Sequence, residues 1–142
     1  MTDWPSIGVV IPTHNRPDLM RAALASVLAQ RYPGRLGAIV VFDRATPDES
    51  LIQDGDRPVR VLKNNRTPGL AGARNTGICA LDTELVAFCD DDDVWLPGKL
   101  TAQVGAMEAR SEMATCAINV TYRGRSTPRY AGAAKVYQAD LL

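Results

Sequence analysis

The sequence lacks the features that define several large classes of protein. It has no run of about 20 apolar residues, so it predicts no membrane-spanning helix. Its first residues, MTDWPS, include an acid and no basic segment, which is unlike a secretory signal peptide. Basic and acidic residues number 16 each, so no net charge attracts nucleic acid or an anionic membrane. We therefore expect a soluble, cytoplasmic protein that does not bind nucleic acid.

Cysteine is scarce, and several catalytic fingerprints are absent. The three cysteines, Cys79, Cys89 and Cys116, lie in apolar surroundings without CxxC spacing. They predict buried free thiols in a reducing compartment rather than a disulfide framework or a zinc site. The chain contains neither a GxGxxG motif nor a P-loop, and no GxSxG nucleophile elbow accompanies its single histidine, His14.

Short β-branched runs alternate with helical patterns along the 142 residues, which are enough for one domain with a buried core. The runs predict strands at residues 7–11, 38–42, 59–62, 85–89 and 113–122. Apolar residues at helical spacing predict helices at residues 18–30, at 70–81 and from Pro97 onward. Residues 123–135 have no clear period and predict a loop. The alternation predicts an α/β fold with a mainly parallel sheet and right-handed crossovers.

Four consecutive aspartates, Asp90 to Asp93, are the most informative stretch. They follow the continuous apolar run 85–89, which predicts a strand buried on both faces, and two apolar residues come after them. Adjacent carboxylates repel one another, so they favour a cation, and carboxylate oxygens suit Mg²⁺ or Mn²⁺. A solvated acidic loop is the alternative. The apolar residues on both sides favour the metal site.

Three polar clusters follow predicted strands: Thr13-His14-Asn15, Asp43, and the four aspartates. The carboxyl ends of parallel strands meet at one edge of a sheet, where such folds bind ligands. We therefore expect a single binding site that contains all three clusters.

Several residues allow two interpretations. His14 could touch a ligand, or backbone groups of its turn could satisfy it. Asp43 could accept a hydrogen bond from a ring N–H of a bound base, or it could cap the following turn. Trp95 predicts packing rather than a stacking platform, and Glu112 and Asp140 are expected to be ordinary surface acids.

The segment around residues 66–77 combines arginine with glycine. Arg66 and Arg74 could bind phosphate or base oxygens, although Arg66 could equally be a surface side chain. The glycines of the predicted helix 70–81 indicate close packing against the sheet or close approach to a ligand.

Four motifs, in one order, resemble a known family. They are VVIPTHNR at Val9–Arg16, VVFD at Val40–Asp43, GLAGARNTGI at Gly69–Ile78 and AFCDDDDVWLPGKL at Ala87–Leu100. Together they resemble the nucleotide-sugar-binding half of the family 2 glycosyltransferases, which have the GT-A fold. The resemblance covers about the first 100 residues and implies inverting transfer of a sugar from a nucleotide-diphosphate donor, often linked to UDP.

The resemblance also implies roles for particular residues. Pro12 and Thr13 would line the nucleotide pocket. Asp43 would recognise the base through the N3–H of uracil or thymine, and Arg74 would lie near the nucleotide.

In the same way, the acidic stretch corresponds to the DxD motif of the family. Asp92 would be the direct ligand of Mg²⁺ or Mn²⁺, and Asp90 would lie nearer the ribose. Asp93 matches a further acid that is common after the motif.

The sequence departs from the family in two places. Where the family usually has DDGSTD, this chain keeps the first acid, Asp43, but has Arg44 and Ala45 in place of the second acid and the glycine. The chain also stops at Leu142, before the acceptor-binding half that holds the catalytic base, so residues 101–142 would be an incomplete start of that half. We expect donor binding without acceptor transfer by this chain, with the acceptor and the base unknown.

Two other functional classes are alternatives. The first is a nucleotide- or metal-binding module without catalytic turnover. The second is metal-dependent phosphoryl chemistry, which is weaker because no nucleophilic or basic residue is placed beside the aspartates.

Overall fold

A computed structural model of the chain describes residues 3–130, 132–135 and 137. The chain divides after Thr101 into two compact units. The first unit contains β1 (Ile7–Thr13), α1 (Pro17–Leu28), β2 (Leu36–Phe42), a 3₁₀ turn (Glu49–Leu51), β3 (Val59–Lys63), α2 (Leu70–Cys79) and β4 (Leu85–Phe88). Helix α3 (Lys99–Ala106) begins at its end.

The four strands of the first unit form one parallel sheet in the order β3-β2-β1-β4. Ile7 of β1 is in register with Leu36 of β2 on one side and with Leu85 of β4 on the other. This arrangement confirms the predicted α/β fold. No helix among the described residues is long and apolar enough to cross a membrane.

The core lies at the centre of the sheet, where the sequence is most apolar. All seven residues of β1 are buried, and so are six of the seven in β2. Helix α1 buries Met20, Ala23, Leu24 and Val27, which lie on one face at helical spacing. Pro17 opens this helix, where its missing N–H costs no hydrogen bond.

Helix α2 packs closely on the sheet through its glycines, as the sequence predicted. A Cβ atom at Gly77 would lie 2.4 Å from a methyl carbon of Val10, and one at Gly72 would lie 1.7 Å from the carbonyl oxygen of Thr67. Any larger side chain at these positions would push the helix away from β1 or from the loop before it. Gly77 therefore sets the distance between α2 and the sheet, and Gly72 sets the distance between α2 and the loop before it.

The prediction that β4 is buried on both faces was wrong. Val86 and Phe88 are 38% and 42% exposed. Strand β4 is at the edge of the sheet and pairs only with β1 among the described strands, while α1 and α2 pack on β1 and β2. At this edge Phe88 is covered only in part, by the Arg74 side chain of α2, so it stays half-exposed.

The second unit contains a two-stranded antiparallel sheet, and the loop predicted for residues 123–135 was wrong in part. Strands β5 (Ile118–Tyr122) and β6 (Arg125–Arg129) pair across a tight turn. Arg123 and Gly124 in that turn have φ angles of 49° and 74°, typical of a two-residue hairpin connection. The strand predicted from Met113 begins only at Ile118.

The cysteine prediction holds only in part. All three thiols are free, and Cys89 is buried, but Cys79 and Cys116 are exposed. Cys79 is the last residue of α2 and lies off the face that packs on the sheet. Cys116 precedes the β5–β6 hairpin, whose residues are all exposed. Asp140 lies outside the described residues.

Candidate functional site

A cavity of about 350 Å³ opens at the carboxyl ends of β1, β2 and β4. Its volume is in the range of small-molecule sites. The three predicted polar clusters meet there, because each follows a strand of one parallel sheet. The cavity is lined by Pro12, Thr13, His14, Arg16, Asp43, Arg44, Gly69, Leu70, Ala73, Asp90, Asp91 and Asp92.

Asp43 is buried, and its ionised carboxylate lines one wall of this cavity. Its Oδ1 accepts a hydrogen bond from the side-chain amide of Asn64 at 2.8 Å. Its Oδ2 accepts from the backbone N–H of Gly69 at 3.1 Å and from Nε of Arg44 at 3.0 Å. These donors, Asn64 first, hold the pKa of Asp43 below its usual range. Asp43 thus joins the end of β2 to the start of α2.

The Asp43 carboxylate keeps capacity for a ligand. Two carboxylate oxygens offer about four acceptor positions, and three are occupied. The backbone N–H that Asp43 accepts is that of Gly69, so its carboxylate holds the start of α2 rather than capping the turn after β2, and it leaves room for one N–H from a bound base.

The loop after β2 differs from the usual family sequence, and its geometry shows how. Arg44 has a φ angle of 50°, a left-handed conformation, and its guanidinium returns to pair with Asp43. His14 is satisfied by the backbone, since its Nδ1 lies 2.7 Å from the carbonyl oxygen of Asp43. Both side chains line the cavity as well.

The acidic loop, Asp90–Asp93, places its carboxylates in different environments. Asp91 is buried, and its Oδ2 accepts a hydrogen bond from the Thr13 hydroxyl at 2.9 Å. The predicted pocket residue Thr13 therefore lines the cavity while its hydroxyl donates to this aspartate. Asp91 connects the carboxyl end of β1 to the loop that follows β4.

The side chains of Asp90 and Asp92 are exposed at the cavity, 42% and 54% respectively. Each faces an arginine: Arg74 lies 2.8 Å from Asp90, and Arg16 lies 3.0 Å from Asp92. The Arg74 guanidinium also lies 5.4 Å from the centre of the Phe88 ring, a cation–π contact. Arg74 is thus beside the acidic loop, although it is not among the residues that line the cavity.

The crowding of acids shows in the pKa values of the loop. Burial raises the pKa of Asp93, and the neighbouring carboxylates of Asp90 and Asp92 raise it further. Burial, followed by the charge of Asp93, also raises the pKa of the Cys89 thiol to about 12. Cys89 therefore stays protonated at neutral pH and acts as a packing residue.

The charges that line the cavity fit a cation. Four aspartates and two arginines line it, so acid is in excess, and it stays in excess when Arg74 is counted. Carboxylate oxygens are the donors that Mg²⁺ and Mn²⁺ prefer. Among the described residues, no three acidic, histidine or cysteine side chains already surround a common point closely enough to hold a metal. A cation would therefore bind by replacing an arginine in the ion pairs of the loop.

Two other residues considered in the sequence lie outside the cavity lining. Trp95 is a packing residue, as predicted: it is 7% exposed, and Lys99 lies 4.2 Å from its ring centre. Arg66 is exposed and donates to the sulfur of Cys79 at 3.3 Å.

Sequence reasoning missed three residues of the site. Asn64 and Arg16 were not singled out as site residues, and Asp91 was not distinguished from its neighbours. Arg16 is the last residue of the VVIPTHNR motif, and that position was the available signal. Nothing in the sequence marks Asn64, which reaches Asp43 through a turn.

The parallel sheet with its flanking helices matches the fold of solved glycosyltransferases of GT-A type. The chain aligns with a mannosyltransferase from Pyrobaculum calidifontis, solved in complex with GDP-Man and Mn²⁺, with a TM-score of 0.58 and 26% identity. The alignment covers 74% of this chain and 32% of that one.

The chain belongs to glycosyl transferase family 2, whose sequence profile matches residues 8–139. A UDP-Glc:alpha-D-GlcNAc-diphosphoundecaprenol beta-1,3-glucosyltransferase of Escherichia coli is 30% identical over 104 residues, 71% of this chain and 40% of the relative. The succinoglycan biosynthesis protein ExoW of Rhizobium meliloti is 40% identical over 104 residues, 66% of this chain and 31% of the relative. The chain thus spans less than half the length of these relatives, and the resemblance noted in the sequence is confirmed.

Proposed function

We propose that this domain binds a nucleoside-diphosphate sugar together with Mg²⁺ or Mn²⁺, and that a protein containing it transfers the sugar to an acceptor with inversion. One observation carries the proposal: a single cavity has a hydrogen-bond acceptor for a nucleobase, Asp43, on one wall and the acidic loop on another. The E. coli relative uses UDP-Glc, and the Pyrobaculum neighbour binds a nucleotide sugar with Mn²⁺.

Electrostatics require a cation in this proposal. A nucleoside-diphosphate sugar carries two negative charges, and it would enter a cavity in which acids already exceed arginines. Unit charges a few ångströms apart interact by about 1 kcal/mol in water and several times more near a protein surface. Asp92, with Asp90 beside it, would hold the cation. When bound, the cation supplies positive charge to the diphosphate as it leaves.

The residues of the chain itself bind and orient the donor. Asp43 accepts the N3–H of uracil or thymine with its remaining acceptor position, while Pro12 and Thr13 form the adjoining wall. Arg74, fixed between Asp90 and Phe88, directs a second positive charge toward the nucleotide. An acceptor hydroxyl, deprotonated by a carboxylate of the whole protein, attacks the anomeric carbon of the sugar and displaces the nucleoside diphosphate in a single step.

A binding panel tests the proposal. UDP, dTDP, CDP and GDP are titrated into the purified chain by calorimetry, once with Mn²⁺ and once with EDTA. We expect UDP or dTDP to bind most tightly, and only with the metal. Equal affinity for all four nucleotides would contradict the role of Asp43, and equal affinity in Mn²⁺ and EDTA would contradict the role of the acidic loop.

A further inference from the structure

Arg16 extends from the start of α1 across the mouth of the cavity to the acidic loop. A single nitrogen, Nη1, lies 3.2 Å from Oδ1 of Asp91 and 3.0 Å from Oδ2 of Asp92. This positive group is therefore shared between two consecutive carboxylates of the loop. One of them, Asp92, is the residue proposed above to hold the divalent cation.

We propose that Arg16 is a built-in counter-cation of the acidic loop. A divalent cation displaces it from Asp92, and the diphosphate of the donor then accepts the released guanidinium. This inference rests on the proposed function, because it assumes that the cation binds at Asp92. It assigns to Arg16 the role of making metal binding weak without the nucleotide and strong with it.

The two carboxylates that share Arg16 differ in how firmly they are held. The side chain of Asp91 is 10% exposed and also accepts the Thr13 hydroxyl at 2.9 Å, so its position is fixed without Arg16. The side chain of Asp92 is 54% exposed, and Arg16 is the partner that the described part of the chain gives it. A divalent cation can therefore replace the Arg16 guanidinium at Asp92 while Asp91 stays in place.

The Arg16 side chain is also free to move. It is 51% exposed, and the helix depends on its backbone rather than on its guanidinium: the Arg16 carbonyl accepts the N–H of Met20. Arg74 differs, because the Phe88 ring lies under its guanidinium and its Nε is buried. Of the two arginines that pair with the exposed acids of the loop, Arg16 is the one that can leave.

The released guanidinium has a suitable partner in the donor. Arginine binds phosphate oxygens through planar, charge-assisted hydrogen bonds. A diphosphate beside the cation would lie within the cavity that Arg16 lines. The cation takes Asp92 from Arg16, and the diphosphate gives the Arg16 guanidinium a new anionic partner. Metal and nucleotide would therefore bind cooperatively.

The test is Mn²⁺ affinity, measured from free Mn²⁺ by electron paramagnetic resonance, first without nucleotide and then with UDP. Because exposed ion pairs contribute at most about 1 kcal/mol, we expect Arg16→Gln to bind Mn²⁺ alone about two- to fivefold more tightly than the wild type. With UDP present, the cooperativity between Mn²⁺ and UDP should fall by a similar factor. Arg16→Lys keeps the charge, so its affinity for Mn²⁺ without nucleotide should stay close to that of the wild type.

Arg44→Gln is the matched control, because Arg44 lines the same cavity but pairs with Asp43 instead of the acidic loop. It should change the affinity for Mn²⁺ alone by less than about twofold. The inference is overturned if Arg16→Gln binds Mn²⁺ no more tightly than the wild type, or if Arg44→Gln gives the same gain. A wild-type protein that binds no Mn²⁺ even with UDP would instead refute the proposed function.

Discussion

Glu84 at the amino end of the parallel sheet and the acidic loop at its carboxyl end both carry carboxylates, but they are held in opposite ways. At the amino end, Glu84 accepts hydrogen bonds from the backbone N–H of Ser6 at 2.7 Å and from its hydroxyl at 3.0 Å. These donors hold the pKa of Glu84 below its usual range. At the carboxyl end, burial and the carboxylates of Asp90 and Asp92 raise the pKa of Asp93. The negative charge of Glu84 is thus stabilised by hydrogen bonds, whereas the carboxylates of the acidic loop repel one another.

This difference favours the carboxyl end as the candidate site, although the larger cavity lies at the amino end. The amino end has a cavity of about 480 Å³, larger than the 350 Å³ cavity at the carboxyl end. The larger cavity is lined by Asp3, Trp4, Ser6, Pro33, Gly34, Arg35 and Glu84. Its Glu84 already has hydrogen-bond donors from the protein, whereas in the acidic loop one arginine, Arg16, is shared between Asp91 and Asp92. An excess of acid is what a bound cation can relieve.

Asp92→Asn should have the largest effect and sharpens the contrast between the two ends. Removing a direct metal ligand should lower the affinity for UDP in Mn²⁺ by at least about a hundredfold, since even groups that only support ligands contribute 10–100-fold. Calorimetry with and without EDTA measures the metal-dependent part. Glu84→Gln removes a charge at the other end and should leave the affinity for UDP in Mn²⁺ unchanged. Wild-type affinity in Asp92→Asn would show that the loop does not bind the metal.

Asp43→Asn should have the next largest effect, on base preference. The variant keeps the size of the side chain but loses a charged acceptor for the N3–H of uracil, and its amide can donate to N3 of cytosine. Loss of a charge-assisted hydrogen bond corresponds to roughly 1.5–3 kcal/mol, so the preference for UDP over CDP should fall about tenfold or more. Asp48→Asn, which lies outside the cavity lining, is the control. An unchanged preference in Asp43→Asn would refute its role in base recognition.

Much of the functional end could be predicted from the sequence because its polar residues directly follow apolar strands. Once the strands are parallel, the residues after β1, β2 and β4 must meet at one edge, whatever the loops do. The amphipathic pattern of α1 and the glycines of α2 similarly depend only on local spacing and size. Residues that are close together in the sequence determine these features.

Other features depend on contacts that the sequence does not encode locally. An apolar run such as 85–88 has the same pattern in a central strand as in an edge strand, so the exposure of Val86 and Phe88 was missed. Four identical aspartates cannot be told apart until the backbone turns one of them, Asp91, toward Thr13. Strand β6 was missed because Arg125–Arg129 lacks an apolar alternation and pairs with β5 through its backbone.

Ser6→Ala probes the amino end and should have a smaller effect. The Ser6 hydroxyl donates to the Glu84 carboxylate and accepts the backbone N–H of Glu84. Its loss should lower the free energy of unfolding by about 1–2 kcal/mol without changing the affinity for UDP. Because the folded-state pKa of Glu84 is lowered, its pairing stabilises the fold at neutral pH, and this contribution is lost as pH falls through that pKa.

Urea unfolding at several pH values measures this. The difference between wild type and Ser6→Ala should shrink in acid, and Ser126→Ala on exposed β6 should show no such difference. A loss of UDP binding in Ser6→Ala would break the contrast between the two ends.

Asp93→Asn should have the smallest effect, and its sign is opposite. Removing one carboxylate relieves repulsion with Asp90 and Asp92, so the free energy of unfolding at neutral pH should rise, by less than about 1 kcal/mol. Because the folded-state pKa of Asp93 is raised, its charge destabilises the fold above that pKa, and the penalty disappears as pH falls through it. The gain over wild type should therefore vanish in acid, and it should also shrink when Mn²⁺ and UDP supply the missing charge. A destabilised Asp93→Asn at neutral pH would mean that the acidic loop, like Glu84, is already satisfied without a cation.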